Sequence, residues 1–136
     1  MQSSETDSTD VEVATTVEIE PSDGYALAKV AARAADAKLG ENTLVLDVKE
    51  LLSVVDAFVV TEGRNLRQVD SLVDEIEAAT KATYGRGPLA IEGRNDGSWV
   101  LMDYGDVLIH VFLDETRAFY DLEHLWSSAP RVSWEG

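Results

Sequence analysis

Residues 92–110 read Glu92-Gly93-Arg94-Asn95-Asp96-Gly97-Ser98-Trp99-Val100-Leu101-Met102-Asp103-Tyr104-Gly105-Asp106-Val107-Leu108-Ile109-His110. Asn95-Asp96-Gly97 and Tyr104-Gly105 are turn signals, because Asn, Asp and above all Gly accept the positive φ that tight reversals need. Between them lies a short apolar run, Trp99 through Asp103, and after them a second, Asp106 through Phe112. Alternation along an extended chain sends Trp99, Leu101 and Asp103 to one face and Val100, Met102 and Tyr104 to the other. With Leu89, Ala90 and Ile91 as a short strand before the hairpin, the stretch reads as a β-meander with acidic rims.

Working outward towards the amino terminus, Leu66, Val69, Leu72, Val73, Ile76 and Ala79 form a helical stripe, with Arg67, Asp70, Asp74 and Glu75 turned to water. Asn65 is its expected N-cap, and Tyr84-Gly85 closes it ahead of a loop through Arg86, Gly87 and Pro88. Before it, Asp56 through Thr61 is apolar on both faces, as expected of a strand covered on each side. Thr43 through Lys49 alternates, with Leu44, Leu46 and Val48 as the strongly apolar face. Leu27, Val30, Ala31 and Ala34 recur at helical spacing from a Ser22 or Asp23 cap to Leu39, where Gly40 supplies the stop; a face this rich in alanine suits close packing on a sheet.

Towards the carboxyl terminus, Asp114 is the expected N-cap of a last helix with Phe119, Leu122, Leu125 and Trp126 on one side, stopped by Ala129-Pro130. The order helix, two strands, helix, three strands, helix specifies a single compact α/β domain, a mixed sheet of about five strands flanked by helices. Residues 24–130 make that domain, 131–136 are a short extension, and no internal repeat is present.

The chain of 136 residues carries a net charge of −15. A surface this negative is repelled by phosphate backbones and anionic headgroups, so a basic protein or a cation suits it better than nucleic acid or a membrane. Residues 1–23 hold seven acids (Glu5, Asp7, Asp10, Glu12, Glu18, Glu20, Asp23) and no base, and are expected to form a disordered acidic tail. The remaining 19 acids against 11 bases leave the body at −8. With no cysteine, disulfides and thiolate metal sites are unavailable. No apolar run reaches membrane-span length and the start has neither signal-peptide nor transit-peptide character, so a cytoplasmic protein is expected.

Asp103, Asp106 and His110 invite a metal or acid/base reading. Asp106 and His110 fall on one strand face but about 13 Å apart, at about 3.3 Å per residue, too far for one ion. Asp103 beside Asp106 leaves two readings, a paired-carboxylate site or a turn fixed by Asp106 through backbone N–H groups, with His110 a hydrogen-bonded strand residue. Gly63-Arg64-Asn65, between strand and helix, is either a phosphate-cradling turn or an ordinary connection. Trp99 is either core or an exposed interface anchor between acids. No nucleophile triad, P-loop, Cys/His metal pattern or basic stripe is present.

Residues 52–63 (LSVVDAFVVTEG), Arg67-Gln68-Val69, Glu92-Gly93, 99–112 (WVLMDYGDVLIHVF) and 117–126 (RAFYDLEHLW) resemble the Iojap or ribosomal silencing factor (RsfS) family. The resemblance runs from Gly24 to Pro130 and leaves out the acidic tail. It implies a nucleotidyltransferase-like fold. It also implies a non-enzymatic factor, without cofactor or metal, that binds ribosomal protein uL14 of the large subunit, blocks joining of the small subunit and so represses translation. Family members tend to form homodimers, for which the sheet edge and last helix, with Trp126 and Trp134, offer apolar surface. The alternative is a metal-dependent nucleotidyltransferase or nucleotide-binding protein. Against it, Arg64 stands after Gly63 where that chemistry needs Ser, and Asp103 and Asp106 are spaced one residue too widely for an Asp-x-Asp pair. Carried over residue by residue, the resemblance makes Trp99 the apolar anchor, Asp103 and Asp106 partners for Lys or Arg, and Tyr104 their neighbour, with Glu92 and Leu101 beside them.

Overall fold

The computed structural model describes residues 24–135. The tail and the Ser22 or Asp23 cap expected within 1–23 lie outside the described residues. Helix α1 spans Gly24–Ala37, strands β1 and β2 span Glu41–Asp47 and Ala57–Gly63, and helix α2 spans Leu66–Tyr84. Strands β3 (Ala90–Glu92), β4 (Trp99–Asp103) and β5 (Val107–Leu113) follow, then helices α3 (Asp114–Tyr120) and α4 (Leu122–Leu125). The five strands form one mixed sheet in the order β1-β2-β5-β4-β3. Only β2 and β5 run parallel, across the crossover that contains α2, and the other pairs are antiparallel. The α/β class, five-stranded mixed sheet and flanking helices are those expected.

One face of the sheet is sealed by α1 and α2. Val45, Val59, Val100, Met102, Val107, Ile109 and Val111 meet Ala28, Ala31, Ala35, Leu72, Val73 and Ile76 there, all buried. The alanine stripe lets α1 lie close to the sheet, and burying each of the larger side chains contributes about 1.5–3 kcal/mol. Helix α2 begins as its cap signal requires, with Asn65 Oδ1 accepting the Gln68 N–H at 2.8 Å. It ends at Gly85 in the left-handed region, φ 66°. Leu66, placed in the apolar stripe by spacing, is exposed.

At the end of α1 the left-handed residue is Leu39, φ 66°, and not Gly40. Gly40 is needed for space, since a Cβ there would press on Thr61 Oγ1 and the Ala35 carbonyl. Strand β1 also differs from its expected face pattern. Val45 is buried against α1 and Leu46 on the opposite side, while Leu44 is only half-buried, because both faces of β1 are covered.

The last helix is two short ones. Asp121 takes φ 51°, and its N–H closes on the Arg117 carbonyl at 2.8 Å. The break turns Leu122 and Trp126 onto the sheet while Phe119 and Leu125 stay exposed. The N-cap position is Leu113 rather than Asp114. Buried Arg117 ties the corner down through Glu62 (3.1 Å) and Glu123 (2.9 Å). The described part of the extension, residues 131–135, packs onto the domain: Val132 N–H donates to the Val45 carbonyl, and Trp134 Nε1–H to the Thr43 carbonyl at 3.2 Å. Trp126 meets Phe58 edge-on and Trp134 packs against the main core, so the two tryptophans considered for a dimer surface are engaged within the chain.

Candidate docking face

The face opposite α1 and α2 is covered unevenly. Over β1, β2 and the end of β5, Leu122, Trp126 and Ala129 close on Leu46, Phe58, Val60 and Phe112. Over β4 and β3 the cover thins, with Tyr120 meeting the Trp99 ring. Register places Trp99 beside Phe112, Leu101 beside His110 and Asp103 beside Leu108 on β5. On the other side it places Leu101 beside Glu92 and Asp103 beside Ala90. Antiparallel partners point to the same face, so these side chains form one strip. Trp99, Leu101, Asp103 and Leu108 are half-buried, and Glu92 and Ala90 are exposed.

Four of the six residues expected to contact a partner, Trp99, Leu101, Asp103 and Glu92, therefore share one accessible face. Tyr104 does not, and Asp106 is already engaged. Tyr104 is 1% exposed and belongs to the core on the α1/α2 side, where its hydroxyl pairs with Thr80 Oγ1 at 2.8 Å. Burial raises the pKa of that phenol. It supports the turn from beneath and presents no surface. Asp106 already has a cation: Arg86 Nη2 reaches its Oδ1 at 2.6 Å and the Tyr104 carbonyl at 2.6 Å.

The roles within the turn are exchanged relative to the sequence reading. Asp103, not Asp106, accepts the backbone N–H of Gly105, at 2.8 Å, and Gly105 takes φ 89°. The preceding connection is closed by Gly97 N–H donating to the Gly93 carbonyl at 2.8 Å. Gly93 takes φ 84°, and an added Cβ would run into the Trp99 carbonyl oxygen, so glycine is required there. Arg94 then pins this connection to α2 through Asp70 and Asp74. The strip is thus held from both ends.

The catalytic alternatives find little in this geometry. Among the described residues no three His, Asp or Glu side chains converge to hold a metal ion. At the Gly63-Arg64-Asn65 turn the Arg64 N–H is taken by Gln68 Oε1 at 2.8 Å and the Gln68 N–H by Asn65, so two of the amides a phosphate could use are occupied. Gly63 serves packing, because a Cβ would sit 3.1 Å from the Val69 nitrogen.

His110 is 7% exposed, among Phe58, Trp99 and Phe112. Its Nδ1 accepts the Trp99 indole N–H at 3.1 Å, and desolvation pushes its pKa down to about 4. Sequence spacing had offered His110 only as a possible ligand or strand residue, since contact with Trp99, eleven positions away, follows from strand register alone. Tyr120, whose ring lies 4.9 Å from that of Trp99, was also missed, as were the Asp106 clamp by Arg86 and the buried Arg117.

Comparison with known proteins places this geometry. Residues 21–136 match the family model described as "Ribosomal silencing factor during starvation". The chain is 36% identical over 110 residues to the ribosomal silencing factor RsfS of Halalkalibacterium halodurans, covering 81% of this chain and 93% of that protein. It is 32% identical over 85 residues to the mouse protein named mitochondrial assembly of ribosomal large subunit protein 1, covering 61% of this chain and 37% of that one. A crystal structure of protein CV0518 from Chromobacterium violaceum superposes with a TM-score of 0.72 at 32% identity, over 82% of this chain and 92% of that one.

Proposed function

The chain belongs to the ribosomal silencing factor family, and from that premise we propose that it represses translation by docking on ribosomal protein uL14 of the large subunit and obstructing the small subunit sterically. The observation that carries the reading is the half-covered strip on β4, where Leu101 has the carboxylates of Glu92 and Asp103 as neighbours and Trp99 extends the apolar surface on its other side. An apolar centre with an acidic rim suits a basic protein surface, since the rim charges steer encounter and the aromatic centre supplies most of the affinity. The body's balance of −8 disfavours contact with bare ribosomal RNA and favours a basic protein as the point of attachment. No chemistry is required of such a factor, only affinity and position, and the proposal is accordingly of a cytoplasmic, non-enzymatic protein. Tyr104 and Asp106 hold the turn in this reading, and Trp99, Leu101, Asp103 and Glu92 make the contact.

Sedimentation of purified large subunits with and without the protein tests this reading. Co-sedimentation, with fewer joined ribosomes when small subunits are added, is expected. Failure to travel with large subunits would rule the reading out.

A further inference from the structure

Trp99 lies in a nest of rings. Phe112 is 4.8 Å and Tyr120 4.9 Å from it between centroids, and His110, at 6.0 Å, takes its one polar hydrogen. A neutral imidazole has one N–H and one acceptor nitrogen. Because Nδ1 accepts from Trp99, the proton resides on Nε2, which is buried and has no hydrogen-bond partner. Leaving a buried donor unmatched is costly, so the arrangement sacrifices one hydrogen bond of His110 to secure the one to Trp99.

We infer that His110 is a positioning residue for docking: by holding the Trp99 indole N–H on Nδ1 it fixes the angle of the ring on β4 and leaves Trp99 a purely aromatic contact, suited to an apolar or guanidinium side chain of a basic protein and not to a hydrogen-bond acceptor. The second half of this statement follows from the first, because an indole has a single donor and His110 occupies it. The inference rests on the uL14 reading above for the identity of the partner.

The test has two arms. In the free protein, hydrogen exchange of the Trp99 indole N–H is followed by NMR, with the resonance assigned by its disappearance in Trp99→Phe and the indoles of Trp126 and Trp134 as internal controls. His110→Leu should abolish the slow exchange of Trp99 alone, and His110→Asn, whose carbonyl oxygen lies near the place of Nδ1, should restore much of it. Unchanged exchange in His110→Leu would overturn the inference. In the second arm, affinity for isolated uL14 is measured for the same variants. His110→Leu should weaken binding by about tenfold. On a Trp99→Phe background, where no N–H remains to be held, it should matter by less than about twofold. An equal loss in both backgrounds would make His110 merely structural and overturn the inference. If the unaltered protein does not bind uL14, the proposed function fails, and the exchange arm still decides whether His110 holds the ring.

Discussion

The two faces of the sheet are built from the same strands and do opposite things. Towards α1 and α2, every large side chain of β4 and β5 is sealed: Val100, Met102, Tyr104, Val107, Ile109 and Val111 are buried, and the one polar hydroxyl among them is satisfied by Thr80. Towards α3 and α4 the cover thins at β4, where Tyr120 meets the Trp99 ring, and the residues there are half-buried and edged by carboxylates. Strand β4 contributes to both, residue by alternate residue. In the proposed function, stability and docking are separated by the period of the pleat, and a slip of one residue would exchange them.

The comparison can be broken at its corner. Arg117 anchors α3 to the partly covered face with a side chain 6% exposed between Glu62 and Glu123. Removing it strands two carboxylates, and Arg117→Ala should destabilise the protein by about 3–5 kcal/mol in chemical denaturation. The next effect separates the faces by pH. His110 has a folded pKa of about 4 against an ordinary 6.5, so the unfolded chain binds the proton more readily. Its contribution is complete above pH 6.5 and is lost as pH falls through the window to 4, by about 3 kcal/mol. His110→Leu should flatten the denaturation profile across that window.

A smaller effect belongs to the sealed face. Tyr104→Phe removes the hydroxyl that pairs with Thr80 and should cost about 1 kcal/mol of stability, without altering affinity for uL14. Weakened affinity in that variant would return Tyr104 to the contact surface. Smallest is Arg94→Ala at the hairpin, where the ion pairs with Asp70 and Asp74 are largely exposed. Melting should change by less than about 1 kcal/mol.

What was legible in the sequence was local or periodic. Helix α2, its Asn65 cap and its Gly85 stop follow from signals a few residues apart, and the bounds of β4 match the apolar run from Trp99 to Asp103. Alternation had already put Tyr104 on the Val100 and Met102 face; adjacency to Asp103 and Asp106 in the family motif pointed the other way, and the pleat won. The tie from Arg117 to Glu62, 55 positions earlier, was hidden. The same holds for the cover of β1 by Val132 and Trp134, and for the His110 bond to Trp99. Each is a contact between distant segments, which no local pattern encodes.

The half-covered end of the sheet, with Trp99 as its aromatic anchor, is the proposed docking site. The most direct measurement is the affinity of Trp99→Ala for isolated uL14, in protein shown to be folded by an unchanged far-ultraviolet circular dichroism spectrum. The account predicts a loss of about 2 kcal/mol or more. An affinity equal to that of the unaltered protein would contradict it.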